Sequence, residues 1–312
     1  MENTTEATEF IILGLTKATN LRIPLIMIFT FIYTINAIGN LGMILLILSD
    51  SRLHMPMYFF LSNLSLMDFC YSTAVTPTLI AGLFVGDLVI SYNACAAQMF
   101  VFATFTTGEV FILAAMAFDR FAAVCKPLHY TTIMTTGVCV VLAILCHTGG
   151  FINGMIHVGE AFSQTFCSSN KVHHFFCDVP AVMSLSCSDK HISEMVPVYV
   201  DTLIVFFCLS VIFVSYVFIF ITIYRMRKTA GYHKALSTCA SHITAITIFF
   251  GPIIFMYLQP SSSHSMDTDK TASVFYTMVI PMLNPIVYSL RNKEVKNAFK
   301  KLGEKIKLSL GL

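Results

Sequence analysis

Seven long apolar runs constrain this chain more than any other feature. They cover about residues 23–48, 57–81, 96–118, 137–156, 197–223, 236–258 and 272–290. Crossing the hydrocarbon of a bilayer takes roughly 20 mostly apolar residues as a helix. Only structures that satisfy their own backbone hydrogen bonds survive there. The expected fold class is therefore an all-α membrane protein, a bundle of seven transmembrane helices. Composition agrees. The chain is 56% hydrophobic and only 12% charged, whereas a soluble domain is usually about 25% charged. The fourth run holds Gly149, Gly150, Asn153 and Gly154, and the seventh holds Asn284 and Pro285. Both count as spans, because Gly and Pro are commoner in membrane helices than in soluble ones. The first run is too long for a signal-peptide core and lacks a small-residue cleavage site, so it is expected to be retained. The organisation is an N-terminal segment 1–22, a helix-bundle domain 23–290 and a tail 291–312.

The basic residues set the orientation. Lys17, Arg22, Lys171, Lys190 and Lys270 fall on the N-terminal side, five in all. The other side carries fourteen of the chain's nineteen: Arg52, Arg120, Lys126, Arg225, Arg227, Lys228, Lys234 and seven in the tail. Cytoplasmic loops are the ones enriched in Lys and Arg, so the N-terminus is expected outside and the C-terminus inside, with plasma membrane as the location. Asn3-Thr4-Thr5 is then a glycosylation acceptor on the accessible side, while Asn63-Leu64-Ser65 lies within a span. The net charge of +2 says nothing about partners, and no nucleic-acid partner is expected. Cys95, Cys167, Cys177 and Cys187 fall outside, an even number in an oxidising space. Four cysteines allow three pairings, and spacing does not choose among them.

Polar groups at membrane depth mark function by default. Asn40, Asp68, Glu109 and Asn284 fall in the middle of the first, second, third and seventh runs. Two readings stay open: a self-satisfied network with one acid protonated, or two acids sharing a sodium ion. No nucleophile, base and orienting group occur together, so an enzyme is not expected. At the inner edge of the third run, Asp119-Arg120 reads most simply as a snorkelling Arg with a neutralising neighbour. In the tail, Val295, Phe299, Leu302 and Ile306 recur at helical spacing among lysines, the pattern of an interfacial amphipathic helix.

Several motifs change the odds for that pair. They are Gly39-Asn40, LHMPMYFFLSNLSLMDFCYS (53–72), MAFDRFAAVCKPLHY (116–130), SY (215–216), KALSTCASH (234–242) and PMLNPIVYSLRN (281–292). In this order and spacing the chain resembles the odorant receptors, a branch of the rhodopsin-like G-protein-coupled receptors. The resemblance implies that Asp119 holds Arg120 at rest. On activation Arg120 meets Tyr216 and Tyr288 while the sixth helix swings out and a heterotrimeric G protein of the olfactory stimulatory type enters. His242, Asn284 and Pro285 belong to the same switch. The family's usual Asp-Arg-Tyr is here Asp119-Arg120-Phe121, which lacks a hydroxyl. The resemblance also implies a Cys95–Cys177 disulfide, with Cys167–Cys187 favoured for the other two, rather than a metal site built from His174 and Cys177. In that family the equivalents of Asp68 and Glu109 are thought to share a sodium ion, which the resemblance adds to the two open readings; no other cofactor is expected.

Aligning from the motifs, the resemblance places a ligand pocket in the outer half of the bundle. Its residues are Phe102, Ala103, Thr106 and Thr107 on the third helix and Val200 and Ile204 on the fifth. The sixth adds Phe250, Ile253, Ile254 and Tyr257, and the seventh Val274 and Thr277. This set has no formal charge, and Phe102 stands where amine receptors carry an Asp, so amines are not expected. Small neutral volatile molecules are, at about micromolar affinity given the little area they bury. The chain has no Trp, unlike most non-olfactory rhodopsin-like receptors. A non-olfactory receptor for a lipophilic ligand is the alternative, and a transporter lacks the internal repeat it would need. Cilia of olfactory sensory neurons are the implied setting.

Overall fold

The structure is a computed structural model. It describes residues 8–166, 169–187, 191–225, 232–258, 266–291 and 294–301, at some positions by backbone alone. The long helices are Thr19–Ser49, Pro56–Val85, Tyr92–Cys125, Thr136–Phe162, His191–Arg225 and Tyr232–Leu258. A seventh runs as Met266–Val274, a π-helical turn Phe275–Val279 and Ile280–Arg291. Among the described residues six helices are long and apolar enough to cross a bilayer, and in Tyr232–Leu258 the apolar stretch is the shorter His242–Pro252. Each helix extends beyond its apolar run. Local chemistry sets several starts: Pro56 sits in the first turn of the second, and the Ser91 and Thr135 hydroxyls accept from Ala94 N and Val138 N to cap the third and fourth. A short helix at 294–301 buries Val295 and Ala298 and exposes its lysines. Leu302 and Ile306, like Asn3, lie outside the described residues.

The third helix is the axis of the bundle, packed on the second, fourth and fifth, while the first packs on the second and seventh. Outward-facing side chains such as Phe206, Phe207 and Phe213 are exposed and apolar, a lipid-facing surface. Small residues bring helices together. A Cβ on Gly150 would sit 2.3 Å from Thr104 O, and one on Gly39 2.9 Å from Pro285 Cγ.

A small outer sheet has no counterpart among the apolar runs. β1 (Glu9–Ile12) pairs antiparallel with β2 (Leu88–Ser91) and parallel with β3 (Lys171–Val172). Its apolar face carries Phe10 and Ile12 into a cluster with Met99, Phe166, Val172 and Met183. Lys270 donates to Gly14 O at 3.0 Å and ties this cap to the seventh helix.

Gly150→Ala should lower the amount of folded protein at the cell surface, because backbone cannot yield to the added methyl and overpacking costs about 1–3 kcal/mol or more. Gly159→Ala, whose Cβ meets nothing within 4 Å, should not. Flow cytometry of tagged protein checks this; equal surface levels for the two would contradict the close approach.

Candidate functional site

Three features stack along the third helix. The outermost is a cavity of about 550 Å³. Its roof is the loop Cys177–Pro180 with Met183, and its floor is Phe249. Met99, Phe102, Ala103, Thr106 and Thr107 line one wall; Glu194, Pro197, Val198 and Asp201 of the fifth helix line another, with His157 and Tyr276 completing it. The roof is fixed by the Cys95–Cys177 disulfide, with Cα atoms 5.5 Å apart. Gln98 adds a second tie: its Oε1 accepts from Cys177 N at 2.8 Å, while its Nε2 donates to Ala74 O and Thr78 Oγ1. Cys187 is disulfide-bonded, and its expected partner Cys167 lies outside the described residues. Cys177 commits its sulfur to the disulfide. His174 faces Ser273 Oγ at 3.2 Å. Burial first, and Lys270 second, push its imidazole down to about 3, so it sits neutral in the loop.

The four third-helix residues expected at the pocket line this cavity; the other helices depart from the expectation. Val198 lies eighteen residues before Tyr216, five turns at 3.6 residues per turn, and so shares its inward face. Val200 and Ile204 do not, and Val198 and Asp201 take their place. Ile254 is twelve residues beyond His242, a third of a turn off the face, and is 45% exposed on the outside of the bundle. Phe249 rather than Phe250 meets the cavity. The side chains of Ile253 and Tyr257 lie outside the described residues. In the seventh helix the π-turn adds a residue to the turn. There Tyr276 faces the cavity, Thr277 is buried with its hydroxyl donating to Ser273 O at 2.6 Å, and Val274 lines a separate space of about 300 Å³ near Phe29 and Lys270. The expected absence of charge is also corrected: Asp178, Glu194, Asp201 and His157 all border the cavity. Asp201 Oδ1 accepts from Asn153 Nδ2 at 2.9 Å and lies 3.1 Å from His157 Nε2; Asn153 also donates to Thr107 Oγ1 at 2.8 Å. An acid is missing at Phe102, yet the cavity has acids on its opposite wall.

Below the cavity is a buried polar hub. The Asn284 amide donates to both oxygens of Asp68, at 3.3 and 3.0 Å, and to Glu109 Oε1 at 3.1 Å. Tyr71 donates to Asp68 at 3.3 Å. Glu109 Oε2 is buried with no hydrogen-bond partner among the described residues. Asn40 donates to Pro281 O at 3.0 Å, joining the first helix to the seventh.

At the inner end, Arg120 Nε donates to Asp119 Oδ2 at 2.9 Å, and Nη2 reaches the same oxygen. Asp119 is fully buried and Arg120 nearly so. The other carboxylate oxygen accepts from the Tyr130 hydroxyl at 2.7 Å. Phe121 packs between the rings of Phe118 and Phe218. Tyr216 pairs with His242 Nδ1 at 2.8 Å, and Tyr288 buries a hydroxyl with no partner among the described residues.

A family model described as "Olfactory receptor" matches residues 29–305, which takes in all three features. The chain belongs to the olfactory receptor family. It is 66% identical to olfactory receptor 5B3 of Homo sapiens over 311 residues, covering 100% of this chain and 99% of that protein. Olfactory receptor 5B2 of Homo sapiens is 65% identical, over 97% of this chain and 98% of its own length. Olfactory receptor 5B21 of Mus musculus is 60% identical, over 97% and 95%. In fold, the crystal structure of squid rhodopsin superposes with a TM-score of 0.67, covering 93% of this chain and 87% of that one at 15% identity. The chain is thus a multi-pass olfactory receptor with a rhodopsin-like helix bundle.

Two residues at the inner end and the cavity receive no role from the motifs. Tyr130 closes the stretch 116–130 but carries no signal of its own; only the return of the inner loop brings it to Asp119. Asp201 sits in an apolar run, where an acid alone is a signal. Tyr130→Phe leaves a buried Asp119 oxygen unpaired, at about 1–3 kcal/mol, and should lower the melting temperature of the purified receptor. An unchanged melting temperature would show that the hydroxyl contributes nothing to the stability of the Asp119–Arg120 pair.

Proposed function

We propose that this receptor binds small, largely apolar odorants in the outer cavity and, when they bind, activates a stimulatory heterotrimeric G protein that raises cyclic AMP. Its setting in this reading is the plasma membrane of olfactory cilia, with the N-terminus outside. The observation that carries the proposal is the stacking on one helix of a roofed cavity, a buried polar hub and a locked arginine. A ligand that fits the cavity better when the fifth, sixth and seventh helices draw in shifts the population toward that arrangement. Asp119 and Tyr130 hold Arg120 at rest. In the active arrangement Arg120 leaves them for Tyr216 and Tyr288, and a G-protein segment enters beside it. The pocket's apolar wall contributes about 25 cal/mol per Å² covered, which for a molecule of odorant size gives affinities of about micromolar.

The hub belongs to the same proposal. Two carboxylates buried together cannot both stay charged without a counter-charge. Asp68 and Glu109 would share one positive charge, a sodium ion or a proton, and the unpaired Glu109 Oε2 fits that role.

Arg120→Ala tests the proposal. Cells expressing it should show near-normal surface receptor and lose the odorant-driven rise in cyclic AMP. Full signalling by a surface-expressed Arg120→Ala receptor would contradict it.

A further inference from the structure

The cavity wall formed by Asp201, His157 and Asn153 has a polarity that selects ligands. Asp201 Oδ1 already faces two groups, Asn153 Nδ2 at 2.9 Å and His157 Nε2 at 3.1 Å. Its Oδ2 makes no hydrogen bond among the described residues, and the side chain is 40% exposed on a residue that borders the cavity. Asn153 is 2% exposed and is fixed in turn by Thr107. The carboxylate is thus held in place by one amide and one imidazole, with one oxygen left over. A carboxylate oxygen accepts hydrogen bonds and donates none. Carbonyl and ether ligands bring only acceptors, and would place two lone-pair-bearing oxygens face to face. A ligand that donates satisfies Oδ2.

We infer that Asp201 is the receptor's polar anchor, and that its agonists are small apolar molecules bearing one hydrogen-bond donor, a hydroxyl or an amine N–H, directed at Asp201 Oδ2. The inference rests on the proposal that odorants occupy this cavity. His157 Nε2 faces the same carboxylate at 3.1 Å. With a protonated imidazole the pair is neutral and suits a hydroxyl; with a neutral one the carboxylate keeps its charge and suits an ammonium. Phe102, Ala103 and Met99 on the opposite wall receive the carbon skeleton in either case.

The test uses the full-length receptor in cells, with surface expression measured in parallel. Cyclic-AMP dose–response curves are taken for series that share one carbon skeleton and differ in the head: alcohol, primary amine, aldehyde and methyl ether. The wild type should prefer the alcohol or the amine to the aldehyde and the ether by about tenfold or more, the usual weight of an unpaired buried acceptor. Asp201→Asn, which keeps shape and the Oδ1 acceptor but turns the free end into a donor, should erase that preference or favour the aldehyde. Amine over alcohol identifies the ligand's own charge as partner to Asp201; alcohol over amine identifies His157 as already supplying it. A wild type that prefers aldehyde or ether, or an Asp201→Asn receptor with the donor preference intact, overturns the inference. Ala103→Phe separates this from the cavity proposal, since it fills the space. Responses lost in Ala103→Phe but blind to the head group in the wild type leave the cavity and remove the anchor. Agonism that survives Ala103→Phe undiminished, or silence of the surface-expressed wild type across all series, overturns both.

Discussion

One side-chain amide holds the membrane interior of this receptor together. Asn284 donates to Asp68 of the second helix and Glu109 of the third, so three helices meet at one nitrogen. Hydrocarbon offers no hydrogen bonds at that depth, and a polar group without a partner there is costly. Repacking that strands the amide or takes its acceptors away is therefore costly. Asn40, which donates to Pro281 O, brings the first helix to the same place, and the near-contact of Gly39 with Pro285 lets it approach.

The third helix carries the cavity wall, the hub and the arginine on one axis. Thr106 borders the cavity, and Glu109 sits one turn further in. Arg120 follows eleven residues later, about 16 Å along the axis. The fifth helix offers a parallel line from Asp201 to Tyr216, and Tyr216 is tied to His242 of the sixth. Arg120 is paired with Asp119, and the Tyr130 hydroxyl completes the carboxylate. Phe121 packs against the rings of Phe118 and Phe218, and the Asp119–Arg120 pair takes its further contact from the Tyr130 hydroxyl.

Much of this is legible in the amino-acid sequence. Seven spans follow from hydropathy, because hydrocarbon admits few alternatives, and the Cys95–Cys177 bridge follows from the resemblance. The hub is legible as isolated polar residues in apolar runs. The cavity is less so. Its third-helix wall, from Phe102 to Thr107, is found at the expected positions. On the fifth helix the inward face is Val198 and Asp201 rather than Val200 and Ile204, and in the seventh a π-turn that no pattern announces brings Tyr276 to the cavity. The fourth apolar run stops at 156, but the helix continues to Phe162, and so His157 joins the wall from beyond the run. The outer sheet leaves no mark in the pattern, because a four-residue strand such as Glu9–Ile12 gains its stability from partners far away in sequence.

In the reading proposed above, Asp68 and Glu109 share one positive charge at the hub, beside the unpaired Glu109 Oε2. The melting temperature of the purified receptor, measured against sodium concentration and against pH with choline as the balancing cation, tests this most directly. The wild type should melt higher as sodium or protons are added, and Glu109→Gln, which removes one of the two buried acids, should respond less. A wild type indifferent to both, or a Glu109→Gln receptor that responds as the wild type does, would contradict the shared charge.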